Sequence, residues 1–172
     1  TLIHGPVKRR APRAIESVPV TTALEMKESV LEHAFGSDDP ADVVVMAAAV
    51  ADFRPSEAAS HKIKKTDMGS SIALESNPDI LSELGAQREG KSPLLCGFAV
   101  ETGEIDELLE EGRRKLDQKN ADIIIGNFAE DAFELNTNRV WILDRTGRQE
   151  RIATTYKSRV ATKILDAIRR IS

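Results

Sequence analysis

Three closely spaced lysines are the residues best suited to chemistry in this sequence. Lys62, Lys64 and Lys65 lie in a polar stretch, residues 54–70, that has neither helical nor strand periodicity and is typical of a loop or lid. Their ammonium groups are mobile point charges that can neutralise phosphate or carboxylate. The alternative is an ordinary solvated run of charge. The spacing therefore indicates a candidate site for an anionic substrate.

A carboxylate comes just before these lysines, after an apolar run. Residues 43–50 are apolar throughout, and Asp52 follows them. This pattern predicts a strand, 43–49, that is buried on both faces and leads to Asp52 at the edge of a sheet. Asp52 could orient a ligand hydroxyl or hold a divalent cation. The alternative is an acid in an ordinary loop or turn.

Two further features could contact an anion. Asn77-Pro78-Asp79-Ile80 predicts the N-cap and first turn of a helix that begins at Pro78 and ends near Gln87. Its free N–H groups could hold phosphate, and ordinary capping is the alternative. Lys115 and Lys119, four residues apart, share one face of another predicted helix. The alternative for this pair is that it complements the negative end of the helix dipole.

Several other kinds of site are excluded by the sequence. His4, His33 and His61 are scattered and have neither metal-ligand spacing nor a nucleophile beside them. The chain contains no G-x-G-x-x-G motif and no P-loop.

The composition predicts one soluble globular domain over residues 1–172. The chain is 41% hydrophobic and 30% charged, and its net charge of −4 argues against nucleic acid as the main partner. The single cysteine, Cys96, excludes an intrachain disulfide and suits a structural role in a reducing cytosol. No apolar run approaches the ~20 residues that span a membrane. We therefore expect a cytoplasmic protein.

Strands and helices alternate along the sequence. Strands are predicted at 1–5, 14–20, 43–49, 71–75, 94–100, 121–126, 139–144 and 148–155, and helices at 22–35, 78–87, 104–119 and 157–171. Thr22 and Glu25 predict a capping box at the start of the first helix. Apolar stripes are predicted along the third helix, at Ile105, Leu108, Leu109, Gly112 and Leu116, and along the last helix, at Val160, Ile164, Ile168 and Ile171. Residues 127–138 are predicted to be irregular. The pattern predicts an α/β fold, a three-layer, Rossmann-like, mostly parallel sheet with a C-terminal β-hairpin. Ligands in such folds bind at the carboxyl ends of the strands, where Asp52, Asn77, Glu101 and Asn127 would lie.

Taken together, these motifs resemble one family, phosphopantothenate–cysteine ligase. The resemblance rests on AAAVADFRP, HKIKK, SNPDIL, GFAVET and RRKLDQKNAD, in that order along the chain. It implies that CTP or ATP, with Mg²⁺, activates the carboxylate of 4′-phosphopantothenate as an acyl-nucleotidylate, which the amine of cysteine then attacks. It also implies a homodimer, and in many bacteria a fused upstream decarboxylase domain that carries FMN.

The resemblance assigns roles to particular residues. Lys62 matches the family's catalytic lysine, which brings the carboxylate and the α-phosphate together. The implied nucleotide-binding residues are Met46, Ala47, Ala48, Asp52, Lys62, Pro78, Asp79, Ile80, Leu81, Phe98, Lys115 and Lys119. No metal ligand is implied among the residues of this chain.

One part of the family pattern has no counterpart in this sequence. The glycine- and threonine-rich opening strand, and the asparagine-containing segment after it, are not matched, and TLIHGPV resembles the strand that follows them. We therefore expect a ligase domain without its first βα segment, with weak or no ligase activity if those residues are truly absent. The alternative function is a non-catalytic, nucleotide-binding α/β module. Pyrophosphate release that depends on phosphopantothenate would separate the two.

Overall fold

The structure is a computed structural model, which describes residues 1–8, 11–36, 38–57, 71–132 and 135–172. The described residues form two compact units. The first comprises Thr1–Val30 and Ala48–Asp79, and the second comprises Leu31–Ala47 and Ile80–Ser172. None of the described helices is long and apolar enough to cross a membrane.

The strands and helices alternate along most of the chain. The strands are β1 (Leu2–His4), β2 (Ser17–Pro19), β3 (Val43–Met46), β4 (Phe53–Pro55), β5 (Leu74–Ser76), β6 (Leu94–Glu101), β7 (Ile123–Phe128), β8 (Thr137–Asp144) and β9 (Gln149–Tyr156). The helices are α1 (Ala23–Leu31), α2 (Ile80–Gln87), α3 (Ile105–Gln118), α4 (Ala129–Ala132) and α5 (Lys157–Ile171), and a π-helical turn (Glu32–Gly36) follows α1.

The first unit contains two small sheets. Strands β1 and β2 pair in parallel, and β4 and β5 pair antiparallel. Helix α1 starts with the predicted capping box, because Glu25 N–H donates to Thr22 Oγ1 at 3.1 Å while Thr22 N–H donates to Glu25 Oε2 at 3.1 Å. The Thr21 N–H also donates to Glu25 Oε2, at 2.6 Å, and the hydrogen bonds from Thr21 and then Thr22 lower the pKa of the Glu25 carboxyl.

The second unit is built on a five-stranded sheet with the order β3-β6-β7-β8-β9. Strands β3, β6 and β7 are parallel, whereas β8 and β9 run antiparallel as a hairpin. The predicted α/β class, with its mostly parallel central sheet and C-terminal hairpin, is therefore confirmed.

The core of the second unit lies between this sheet and α5. Alternate residues of β6, β7 and β8 face the apolar side of α5. The buried cluster consists of Leu94, Cys96, Ile123, Ile125, Val140, Ile142, Val160, Ile164, Ala167 and Ile168. On the other face α3 approaches closely, because a Cβ on its Gly112 would lie 2.3 Å from Leu143 Cδ1. Most of the predicted apolar stripe of α3 is buried, although Ile105 is 41% exposed.

Some predicted elements differ from the structure. Strand β3 ends at Met46, three residues earlier than predicted. Both faces of this strand were predicted to be buried, which is wrong, since Val45 is 45% exposed. The exposure arises because β3 is the edge strand of its sheet. Phe53–Pro55 forms a strand within a region predicted partly as loop, since β5 supplies a partner that local periodicity does not reveal. Helix α2 begins at Ile80 rather than Pro78, and residues predicted to be irregular contain the short helix α4.

Candidate functional site

Lys115 is paired with two carboxylates, and the one on β6 places its ammonium at the carboxyl end of that strand. Its Nζ donates to Glu101 Oε1 at 2.9 Å and lies 3.2 Å from Glu111 Oε1. Glu101 is the last residue of β6, while Lys115 and Glu111 belong to α3. The Lys115 side chain is only 18% exposed. The predicted site residue Lys115 therefore presents a partly buried cation at the strand end where ligands bind in parallel sheets.

Glu111 is fixed independently of Lys115. Arg114 Nε donates to Glu111 Oε2 at 2.6 Å, and Arg114 Nη2 pairs with the other carboxylate oxygen. The pKa of Glu111 is lowered to about 2, first by the hydrogen bond from Arg114 and then by Lys115, against the opposing effect of burial. Glu111 is therefore ionised throughout the neutral range.

The other lysine of the predicted pair, Lys119, occupies a different position in the packing. It caps the C-terminus of α3, and its N–H donates to the Lys115 carbonyl at 3.1 Å. Its own carbonyl oxygen lies 2.0 Å from the position that a Cβ on Gly85 of α2 would take. The structure thus brings Lys115 to Glu101 and places the backbone of Lys119 against α2.

Strand β6 also contacts α2 where Met46 is paired with Gly97. A Cβ on Gly97 would lie 2.3 Å from Leu81 Cδ2, so glycine lets the Leu81 side chain pack directly on the strand. Ile80 and Leu81 are 4% and 6% exposed, and their side chains belong to the core. Phe98 points to the opposite face of β6 and packs against the α5 core cluster. Met46 and Leu81 are therefore brought to one face of the sheet, and Phe98 to the other.

In the first unit, Asn77 ties the Asp52 segment to the residues that precede α2. Asn77 N–H donates to the Asp52 carbonyl at 2.8 Å, and Asn77 Nδ2 donates to the Ala51 carbonyl at 2.8 Å. Arg54 Nη1 donates to Asn77 Oδ1 at 3.0 Å. Asn77 was predicted as a helix N-cap, but α2 begins only at Ile80, and the Asn77 side chain instead joins two segments distant in sequence. The Asp52 and Asp79 side chains are exposed, and Pro78 is half-buried.

The remaining predicted residues contribute less to the described geometry. Ala47 and Ala48 are exposed just beyond β3. Lys62, Lys64 and Lys65 lie outside the described residues. Within the ranges that the structure describes, no group of three or more His, Cys, Asp or Glu residues could hold a metal ion. Burial raises the pKa of Cys96 to about 12, with a further contribution from Asp122, so this thiol is unsuited to nucleophilic chemistry.

Sequence reasoning missed the roles of Arg54 and Glu111. The i,i+4 spacing of Glu111 and Lys115 was visible in the sequence and could have indicated their ion pair. Glu101 was placed at the sheet edge, but its pairing with Lys115 depends on how α3 packs. The contacts of Arg54 depend on the pairing of β4 with β5, which no local pattern in the sequence indicates.

Comparison with known proteins supports the resemblance over the full chain. The family described as "DNA/pantothenate metabolism flavoprotein C-terminal domain" matches residues 1–171. The coenzyme A biosynthesis bifunctional protein CoaBC of Bacillus subtilis is 37% identical over 175 residues, which cover 99% of this chain and 41% of that protein. The chain thus spans less than half the length of this relative.

Solved structures agree with this family match. The crystal structure of the C-terminal domain of CoaBC has a TM-score of 0.77 and 30% sequence identity, covering 99% of this chain and 72% of that chain. A mutant of Cab2 in complex with phosphopantothenate-cysteine has the same fold, with a TM-score of 0.58 and 21% identity over 80% of this chain and 46% of that one. From the match to nearly every residue we conclude that the chain belongs to the DNA/pantothenate metabolism flavoprotein C-terminal domain family.

Proposed function

We propose that this chain is the ligase domain of a coenzyme A biosynthesis protein, which joins 4′-phosphopantothenate and cysteine in a reaction driven by a nucleoside triphosphate. The observation that carries the proposal is the partly buried Lys115 ammonium at the carboxyl end of β6, in a chain that aligns with CoaBC over 99% of its length. The Cab2 relative was solved with phosphopantothenate-cysteine, the product that this reaction would form.

The first step of the proposed reaction forms an acyl-nucleotidylate. A carboxylate oxygen of phosphopantothenate attacks the α-phosphorus of CTP or ATP, and the bond from that phosphorus to the β-phosphate bridging oxygen breaks, releasing pyrophosphate. Two anions must approach each other, so cations that neutralise them lower the barrier. We assign this role to Lys62.

The second step forms the amide. The cysteine amine attacks the acyl carbon, the acyl–phosphate bond breaks, the nucleoside monophosphate leaves, and the amine nitrogen loses a proton to solvent. This chemistry requires positioning and charge neutralisation and no covalent enzyme intermediate. Such a requirement agrees with the buried, high-pKa Cys96, which would be a poor nucleophile.

We assign nucleotide binding to the residues that the family resemblance names. These are Met46, Ala47, Ala48, Asp52, Lys62, Pro78, Asp79, Ile80, Leu81, Phe98, Lys115 and Lys119. The buried side chains of Ile80 and Leu81 support contact through their backbone N–H groups.

We treat Mg²⁺ as part of the nucleotide substrate. Most ligands of a Mg²⁺ ion bound to a triphosphate are phosphate oxygens and water molecules. The protein therefore needs to supply few metal ligands or none.

We further propose a homodimer that uses the β4–β5 sheet. Phe53 and Leu74 lie on one face of this sheet, by the pairing register, and are 59% and 60% exposed, while nearby Ile72 is 69% exposed. Exposed apolar side chains grouped in this way mark contact surfaces. Light scattering should report a dimer, and Phe53→Ser with Leu74→Ser should shift the mass toward the monomer. A wild-type monomer at micromolar concentration would refute this proposal.

The ligase proposal is tested with the protein as its gene encodes it. Phosphopantothenate, cysteine, Mg²⁺ and either CTP or ATP are supplied, and pyrophosphate and the amide product are measured. We expect pyrophosphate release that requires phosphopantothenate, with the amide forming only when cysteine is present. Nucleotide binding without pyrophosphate release would instead identify a non-catalytic binding module.

A further inference from the structure

Glu101 joins Lys115 to the strand end, whereas Glu111 does not. Glu111 and Lys115 lie one turn apart on α3, so their contact fixes the ammonium only relative to its own helix. Glu101 belongs to β6, and its register partner is Phe128, the last residue of β7. The 2.9 Å hydrogen bond from Lys115 Nζ to Glu101 therefore places the ammonium group of the lysine at the carboxyl ends of two parallel strands.

The two carboxylates also differ in how firmly they are held. Glu111 accepts hydrogen bonds from Arg114 on both of its oxygens. The Glu101 side chain is 30% exposed, and in the described part of the chain its carboxylate is paired with Lys115. Removing Glu101 would leave Lys115 with its partner on the same helix, so the ammonium would lie along α3 instead of reaching the strand end.

We propose that Glu101 is a positioning residue that holds the Lys115 ammonium in place for the anionic part of the nucleotide. This inference rests on the proposed function, because it assumes that Lys115 meets a nucleotide. An ammonium group has three N–H donors, and among the residues that the structure describes the two carboxylates engage two of them, which leaves a third for the ligand. Ordering a lysine side chain before the ligand arrives removes part of the entropic cost of binding.

Charge must be separated from positioning in any test of Glu101. The Glu101 carboxylate repels a phosphate while it orients the lysine, so a single substitution would change both effects. Glu101→Gln and Glu101→Ala remove the same charge, but the amide oxygen of glutamine still accepts the hydrogen bond from Lys115. The ratio of nucleotide dissociation constants between these two variants therefore isolates the hydrogen bond.

The experiment is calorimetric titration of the full protein with CTP and, separately, ATP, in the presence of Mg²⁺ and without phosphopantothenate. We expect Glu101→Ala to bind the preferred nucleotide about 3–10-fold more weakly than Glu101→Gln, the range that follows from ordering one long side chain. In a Lys115→Met background this ratio should fall to one, because Glu101 acts through Lys115. A purely structural role would leave the ratio unchanged by the Lys115 substitution.

The outcomes separate this inference from the proposed function. If Glu101→Ala and Glu101→Gln have equal dissociation constants for the nucleotide, the positioning role of Glu101 is overturned. The ligase proposal still stands in that case if the wild-type protein shows phosphopantothenate-dependent pyrophosphate release. A ratio that persists in the Lys115→Met background also overturns it. A wild-type protein that binds neither nucleotide overturns both proposals.

Discussion

The Arg88 guanidinium and the Asp122 carboxylate form a buried ion pair between the end of α2 and the start of β7. Their side chains are 0% and 4% exposed. Arg88 Nη1 also donates to the Pro93 carbonyl at 3.1 Å, and Asp122 Oδ2 accepts the Leu95 N–H at 2.8 Å. Arg145 contributes a second cation 2.9 Å from Asp122 Oδ1. This network connects the amino ends of β6 and β7.

Asp122→Ala should destabilise the protein by about 3–5 kcal/mol, since it leaves the Arg88 charge and the Leu95 N–H without their buried partner. The control is Glu150→Ala, which removes a partly exposed ion pair with Arg170 and should cost at most about 1 kcal/mol. Urea unfolding at pH 7 measures both free energies of unfolding. If the two variants lose the same free energy of unfolding to within about 0.5 kcal/mol, the structural role of the Arg88–Asp122 pair is contradicted.

Gly85→Ala should destabilise the protein although alanine is the better helix former. The added Cβ would lie 2.0 Å from the backbone oxygen of Lys119, an atom that cannot rotate away. Overpacking of this kind costs about 1–3 kcal/mol or more, against a gain in helix propensity of about 1 kcal/mol.

Gly112→Ala in α3 is the matched control for Gly85. Its Cβ would meet the tip of a side chain, Leu143 Cδ1 at 2.3 Å, which can change rotamer. We expect thermal unfolding to show the smaller loss for Gly112→Ala. An equal or larger loss at Gly112 would contradict the backbone clash as the cause.

Local patterns in the sequence predicted the elements whose signals are contained within them. The capping box of Thr22 and Glu25, the β8–β9 hairpin and the apolar face of α5 are all present. Strand β7, predicted from a run of apolar residues, is buried at every position. These elements agree because their own side chains decide their conformation.

The missed features depend on contacts between segments. Asn77 carries a clear helix-start signal, yet its side chain bonds to Ala51 and Arg54, which lie more than 20 residues away. The partial exposure of Val45 follows from the position of β3 at the sheet edge, which hydropathy does not encode. Lys115 was identified as a site residue, but its pairing with Glu101 required the packing of α3 against β6.

Lys62→Gln should lower phosphopantothenate-dependent pyrophosphate release about 100–1,000-fold, the range for losing one stabilising donor at a developing anion. The fold should be unaffected, as judged by circular dichroism and thermal unfolding. Lys65→Gln is the matched control, because it removes an equal charge from the same lysine cluster and should retain most of the activity. Similar losses in both variants would indicate a general electrostatic effect, and full activity of Lys62→Gln would refute its catalytic role.

Glu111 should make stability depend on pH in the acidic range. Its pKa is about 2 in the folded protein, against 4.5 for an unperturbed glutamate, so the unfolded chain binds more protons between these limits. The stabilisation from Glu111 is therefore fully present above about pH 4.5 and is lost as the pH falls toward 2. Glu111→Gln should reduce the difference between the unfolding free energies at pH 5 and pH 3, measured in urea, because a neutral side chain cannot titrate.

Glu110→Gln, at an exposed neighbouring position, is the control and should leave that difference unchanged. Equal pH dependence in wild type and Glu111→Gln would mean that the contacts with Arg114 and Lys115 do not stabilise the folded state.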